Sequence, residues 1–240
     1  MFLGASLNPD YFNSKVNLYV ALAPATILAN IEVPSFQKIA PSWPEVEYLA
    51  LKFSAYNLFN ANWWEETAIQ TLCSHALILG FCEDVIRYVA DANTEVDDMD
   101  RLDVFLKDFP AGNGYQNLAY YAQSIDHKTD WLRYNYGAIK NMSVYGTAIP
   151  PSVPLDQLNV PTGLYIGSYD KLAPLPDSEW LTAHLNPDTI VWHDIYPLGH
   201  LSFAIAKDMS YFKDDVMNLI NQYATNSFED PTKGHLFLTN

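Results

Sequence analysis

The sequence is short of positive charge: 13 Lys and Arg stand against 28 Asp and Glu, a net charge of −15. Gripping a nucleic-acid backbone or an anionic membrane surface takes clustered cations, so this composition excludes both as partners. No apolar run approaches the ~18 to 20 residues of a transmembrane helix. The opening Met1-Phe2-Leu3-Gly4-Ala5-Ser6-Leu7 has no basic stretch and its apolar run stops at Asn8-Pro9, so no signal peptide is expected. Cysteine is scarce, with Cys73 and Cys82 nine positions apart. No Cys-x-x-Cys or paired histidine spacing suggests zinc; the two cysteines read either as a short disulfide loop of an oxidising compartment or as two buried thiols. Among ten glycines there is no dinucleotide fingerprint, no phosphate loop and no Gly-x-Ser-x-Gly.

What remains is a chain built to fold. Hydrophobic residues make up 49% of 240, aromatics 14% and charged residues only 17%, which excludes disorder and fits one α/β domain with an insertion, or two small domains. Three runs rich in Val, Ile, Leu and Tyr, bounded by turn residues, predict short strands covered on both faces: Val16 to Ala23, Thr162 to Gly167 and Thr189 to Tyr196. A short helix over Ser178 to Leu185 joins the last two, which implies a parallel crossover. Met209, Phe212, Val216, Leu219, Ile220 and Tyr223 recur at steps of three and four and predict an amphipathic closing helix.

Residues 31–151 differ in kind. Val46, Leu49, Ala50 and Phe53 mark one helix and Thr67 to Leu79 another, with Trp43, Trp63 and Trp64 between them and no convincing strand. Such an aromatic helical insertion in an α/β sheet reads as a cap over a ligand site; the alternative is a helical subdomain with an ordinary aromatic core. The division expected is therefore residues 1–30 as the start of a core, 31–151 as a helical cap and 152–240 as the rest of the core. Asn141-Met142-Ser143 is a glycosylation sequon, a triplet common enough by chance to carry little weight.

The candidate chemistry follows the strands. Gly167-Ser168-Tyr169-Asp170-Lys171 ends the second and Leu198-Gly199-His200-Leu201-Ser202 follows the third, which is where parallel sheets gather reactive groups. An Asp and a His in that order, 30 positions apart, match the second half of a Ser, Asp, His arrangement, in which a carboxylate orients an imidazole that accepts the nucleophile's proton. Singly, the Asp could be a turn residue and the His structural. His193 competes with His200, but within its apolar run it reads as a packed strand residue.

At these residues a family resemblance enters. The stretch from Ala5 to Pro24, Ala-Ser-Leu-Asn-Pro-Asp-Tyr-Phe-Asn-Ser-Lys-Val-Asn-Leu-Tyr-Val-Ala-Leu-Ala-Pro, resembles the segment just after the nucleophile elbow of the acid lipase family, which includes gastric and lysosomal acid lipases. The resemblance continues through Thr71-Leu72-Cys73-Ser74, Pro110-Ala111-Gly112, Gln116-Asn117-Leu118, Tyr134-Asn135-Tyr136-Gly137, Tyr145-Gly146, Val160-Pro161-Thr162 and the Asp170 and His200 motifs. It implies a partial α/β-hydrolase fold, the last three parallel strands with a large helical cap insertion, and hydrolysis of carboxylic esters of neutral lipids without a cofactor. It also implies Asp170 as the acid and His200 as the general base of a triad, a disulfide between Cys73 and Cys82, a neutral lipid ester or fatty acid under the cap, and a secreted or lysosomal location. The sequence departs from the family at Ser202, where an Asp is usual, and at Pro174, where an acidic residue is usual.

The resemblance begins after the elbow, so the nucleophilic serine and oxyanion donors are absent and an inactive fragment of a lipase is expected. The alternative is a catalytically inactive lipid-binding or protein-interaction module derived from a lipase, with a partner chain covering the exposed sheet edge.

Overall fold

The computed structural model describes residues 1–53, 57–58, 87–106 and 112–227. Helices α1 (Phe2–Leu7) and α2 (Pro9–Asn13) lead into strand β1 (Tyr19–Leu22). Pro9 opens α2, a position where no amide hydrogen is needed. Helices α3 (Pro34–Ile39) and α4 (Trp43–Lys52) follow, then β2 (Asn57–Leu58), α5 (Leu102–Leu106), β3 (Asn113–Gly114), α6 (Tyr115–Asp126) and α7 (Ala138–Tyr145). Strand β4 (Thr162–Gly167), helix α8 (Leu175–His184), strand β5 (Ile190–Tyr196) and helix α9 (Ser202–Ile205) come next. A π-helical turn over Tyr211–Val216 then runs into α10 (Met217–Ser227).

The expected strands form one parallel sheet in the order β1-β4-β5. Together with its helices the sheet is a partial α/β fold. Within this sheet, only β4 is buried along its whole length. Its residues alternate between two cores: Leu164 packs with Phe2, Leu155, Leu158 and Leu181 on one face, and Tyr165 with Leu198, Phe203, Tyr211 and Leu219 on the other. Each fully buried side chain of this kind is worth roughly 1.5–3 kcal/mol, so β4 is the element on which the fold turns. Gly163 lets α10 lie close, since a Cβ there would come within 2.8 Å of Leu219.

Several expectations are corrected. β1 and β5 are edge strands with partly exposed faces, because each has a hydrogen-bonded neighbour on one side only among the described residues. His193 is accordingly exposed on β5 instead of packed. The crossover helix begins at Leu175 instead of Ser178; Pro176 sits in its first turn, where the ring's fixed φ suits a helix start. Between residues 31 and 151 there is a two-residue antiparallel ladder, Asn57 opposite Gly114 and Leu58 opposite Asn113. The remainder of that segment's described elements are helical, and Val33, Ala40 and Trp43 pack with Ala122 and Ile125 of α6 against Leu28 and Ile31. The helix expected over Thr67 to Leu79, with Cys73 and Cys82, lies outside the described residues. No helix among the described residues is long and apolar enough to cross a membrane.

Candidate active site

The loops after β4 and β5 are stitched together before any side chain is considered. The Ser168 amide donates to Tyr196 O at 2.8 Å and the Tyr169 amide to Leu198 O at 3.0 Å. Gly167 permits this approach: a Cβ there would lie 2.5 Å from the Leu198 carbonyl oxygen. The stitching places Asp170 and His200 side by side, and His200 Nδ1 meets Asp170 Oδ2 at 2.9 Å. The other carboxylate oxygen accepts the Leu172 and Ala173 amides, both at 2.8 Å. Asp170 is thus an Asx turn that also faces an imidazole.

The Asp170 side chain is fully buried, whereas that of His200 is 26% exposed. A carboxylate only accepts hydrogen bonds, so the proton of a neutral His200 sits on Nδ1 and Nε2 is left as the proton acceptor. Burial of the imidazole works against its charged form. The Asp170 hydrogen bond, the Asp170 charge and the Asp91 charge together outweigh burial and hold the His200 pKa above the ordinary histidine value.

His200 forms part of the wall of a cavity of about 580 Å³, between α1, the C-terminal end of β1 and helix α6. Phe2, Leu22, Tyr120, Tyr121 and Trp131 are among its apolar and aromatic lining residues. Its size falls within the range of small-molecule sites. Ala23, on the same wall, adopts φ 46° directly before Pro24, a strained conformation for a residue with a Cβ. A larger cavity of about 800 Å³, lined by Trp43, Tyr48, Tyr115, Tyr134 and Tyr136, includes neither Asp170 nor His200; in its wall the Tyr134 hydroxyl donates to Glu47 Oε1.

One neighbour of the Asp170–His200 pair escapes the sequence reading. Asp91, completely buried, forms an isolated antiparallel bridge with Asp170, in which the Lys171 amide donates to Ala90 O at 2.9 Å and the Ala92 amide to Tyr169 O at 2.8 Å. Its Oδ1 accepts the Leu201 amide at 3.1 Å. Flanked by Ala90 and Ala92, it carries no motif that could single it out. The nearest signal is Gly199 before His200, a glycine that implies a close approach by something.

Asn141 is also fully buried. Its Oδ1 accepts the Tyr136 amide at 2.9 Å, while Nδ2 donates to Asn135 Oδ1 at 2.8 Å and Ala148 O at 2.9 Å. The nitrogen that would carry a glycan is committed to the loop's own structure, so the folded chain does not present the sequon as an acceptor. Among the described residues no group of three or more His, Cys, Asp or Glu is arranged to hold a metal ion.

No family model matches the sequence. Among curated proteins, lipase lipl-1 of Caenorhabditis elegans is 27% identical over 213 residues, covering 85% of this chain and 51% of that protein. Gastric triacylglycerol lipase of Mus musculus is 28% identical over 211 residues, 86% of this chain and 51% of its own length. Lysosomal acid lipase/cholesteryl ester hydrolase of Rattus norvegicus is 27% identical over 156 residues, 63% of this chain and 38% of that protein. The chain spans about half the length of the first two relatives. Over most of its length, the chain is acid lipase-like in sequence.

Proposed function

We propose that this chain carries the acid and base of an ester-hydrolysing site of the acid lipase type, with a neutral lipid ester or its fatty acid held under residues 31–151 as a helical cap. Residues 1–30 and 152–240 are then the α/β-hydrolase core. The observation that carries this reading is the buried Asp170 bonded to Nδ1 of an imidazole that lines an aromatic cavity. In such a site Nε2 of His200 takes the proton of the attacking hydroxyl and returns it to the leaving alcohol, and Asp170 stabilises the imidazolium without itself being protonated. The chemistry asks for no cofactor, and the relatives point to a secreted or lysosomal location.

The 240 residues contain no Gly-x-Ser-x-Gly, and loss of a triad nucleophile costs about 10⁶ in rate; this stretch by itself is therefore read as a very poor esterase. A second reading, a catalytically inactive lipid-binding or interaction module, draws on the same cavity and on the open edge of β1, on which a partner chain would add. The test is to titrate the 240-residue chain with oleate while following the His200 ring signals by NMR, and to assay it on a short-chain nitrophenyl ester and with an alkyl phosphonate. Oleate should shift the His200 signals, with no ester turnover and no labelled serine. An oleate titration that leaves His200 unmoved overturns the lipid site, and stoichiometric serine labelling overturns the inactivity. Fusing a segment that supplies an elbow serine separates the two readings. Turnover that appears and is lost in His200→Ala favours the hydrolase, whereas lipid binding without turnover favours the module.

A further inference from the structure

We propose that Asp91 is a positioning residue for His200, a second carboxylate that fixes the main chain under the imidazole while Asp170 fixes the ring. The isolated bridge between Asp91 and Asp170 turns both carboxylates onto the 199–201 turn from one short antiparallel pairing. Asp170 reaches Nδ1. A bond at Nδ1 alone leaves the ring able to follow any movement of its own backbone. Asp91 removes that freedom, because its Oδ1 accepts the amide of Leu201, the residue after His200. On the preceding side its carboxylate lies flat against Gly199, where a Cβ would come within 2.3 Å of Asp91 Cγ and Oδ1. Gly199 is therefore needed to admit the carboxylate.

Asp91 also acts on the imidazole through charge. It is completely buried, and its Oδ2 has no hydrogen-bond partner among the described residues. The charged groups facing it are Asp97, Asp170 and His200. Burial, reinforced by Asp97 and Asp170 and opposed by the Leu201 amide and the His200 charge, pushes its carboxyl up to about 6. His200 feels Asp91 in return, as a charge that favours the imidazolium. A carboxyl used only to staple a loop would hold the Leu201 amide and leave the histidine's protonation alone.

Calling Asp91 a positioning residue rests on reading His200 as the base of the site; the titration below reads the imidazole directly, so a failed ester assay does not decide it. The His200 ring is titrated by NMR in the wild-type chain, Asp91→Asn, Asp91→Ala and the control Asp177→Asn, which removes another buried carboxylate. In Asp91→Asn the His200 midpoint should fall, since one negative neighbour is gone and the Asp170 bond persists. In Asp91→Ala it should fall as well, and exchange of the Leu201 amide should accelerate by about tenfold, the counterpart of one lost hydrogen bond. Asp177→Asn should do neither. A midpoint unchanged in Asp91→Asn, or lowered equally by Asp177→Asn, overturns the proposal. If neither Asp91 variant folds, the wild-type chain still decides: the Asp91 carboxyl carbon and the His200 ring should each show an inflection at the other's midpoint. Two independent single-site curves would overturn the proposal.

Discussion

Two loops of this chain are each held by a buried polar side chain making three hydrogen bonds, and they serve different ends. Asp170 binds the Leu172 and Ala173 amides and the His200 ring. Asn141 binds the Tyr136 amide, the Asn135 side chain and the Ala148 carbonyl. Asn141 spends every bond on its own neighbourhood, between residues 135 and 148. Asp170 spends two locally and sends the third across 30 positions to an ionisable ring in a cavity wall. Polar satisfaction therefore does not distinguish a structural staple from a candidate reactive site; the partner's ability to change charge does.

The largest effects should come from removing each staple. Asp170→Ala and Asn141→Ala both strand buried amides or carbonyls, and each should cost about 2–4 kcal/mol in urea unfolding. The His200 titration should separate them. Asp170→Asn should lower the His200 midpoint, because burial then acts against an imidazolium that has lost its main partner. Asn141→Ala should leave that midpoint in place. An Asn141 variant that moves it as far as Asp170→Asn would erase the distinction between the two loops.

The second effect is smaller and depends on pH. His200 has its folded-state pKa raised, so its stabilising contribution is full below the ordinary histidine value and is lost as pH rises through the folded value. Asp91 and Asp177 are also raised, chiefly by burial. For a carboxyl raised from 3.8 to about 6, the folded state holds the proton more tightly, so stability falls as pH rises across that window. All three groups therefore favour the fold in mild acid, and relief of self-repulsion from a net charge of −15 acts in the same direction. The unfolding free energy should be higher at pH 5 than at pH 7.5. Asp91→Asn should remove on the order of 1–2 kcal/mol of that difference and isolate the local contribution from the global one. A slope unchanged in Asp91→Asn would mean that Asp91 titrates like an exposed carboxylate.

Much of the sheet was legible in the sequence, and less of the site. β4 was readable to the residue because a strand buried on both faces must be apolar throughout, and Val160-Pro161 marks its start. β1 and β5 carry similar runs, yet their exposure depends on which neighbours flank them, and periodicity does not encode that. That Asp170 and His200 meet was legible because each lies within four residues of a strand's C-terminal end, so sequence order maps onto position at one end of the sheet. Asp91 reaches the same corner from the middle of residues 31–151, through a bridge of two backbone hydrogen bonds. Such pairing uses amides and carbonyls that every residue possesses, which leaves no trace in side-chain pattern. Asn141 shows the converse: Asn-x-Ser is visible as a motif, but its burial is set by Asn135 and Ala148 closing around it.

The smallest effects lie around α7 and sharpen the comparison through two glycines. Gly146 ends α7 in the left-handed region, φ 76°, with nothing within 4 Å of a Cβ, so Gly146→Ala should cost about 1 kcal/mol of backbone strain and nothing in packing. Ile139 on the same helix is 91% exposed, and Ile139→Ser should stay within about 0.5 kcal/mol of wild type, since no contact is lost. Gly199 has no left-handed backbone to explain it; it is constrained by the Asp91 carboxylate 2.3 Å from its absent Cβ. Gly199→Ala must therefore move Asp91, the His200 turn or both, and its signature should be a displaced His200 titration, whereas Gly146→Ala leaves that titration untouched. If Gly199→Ala lowers stability with the His200 curve unmoved, then Asp91 and the imidazole are neighbours without being coupled, and the loop at His200 is held in the same way as the loop at Asn141.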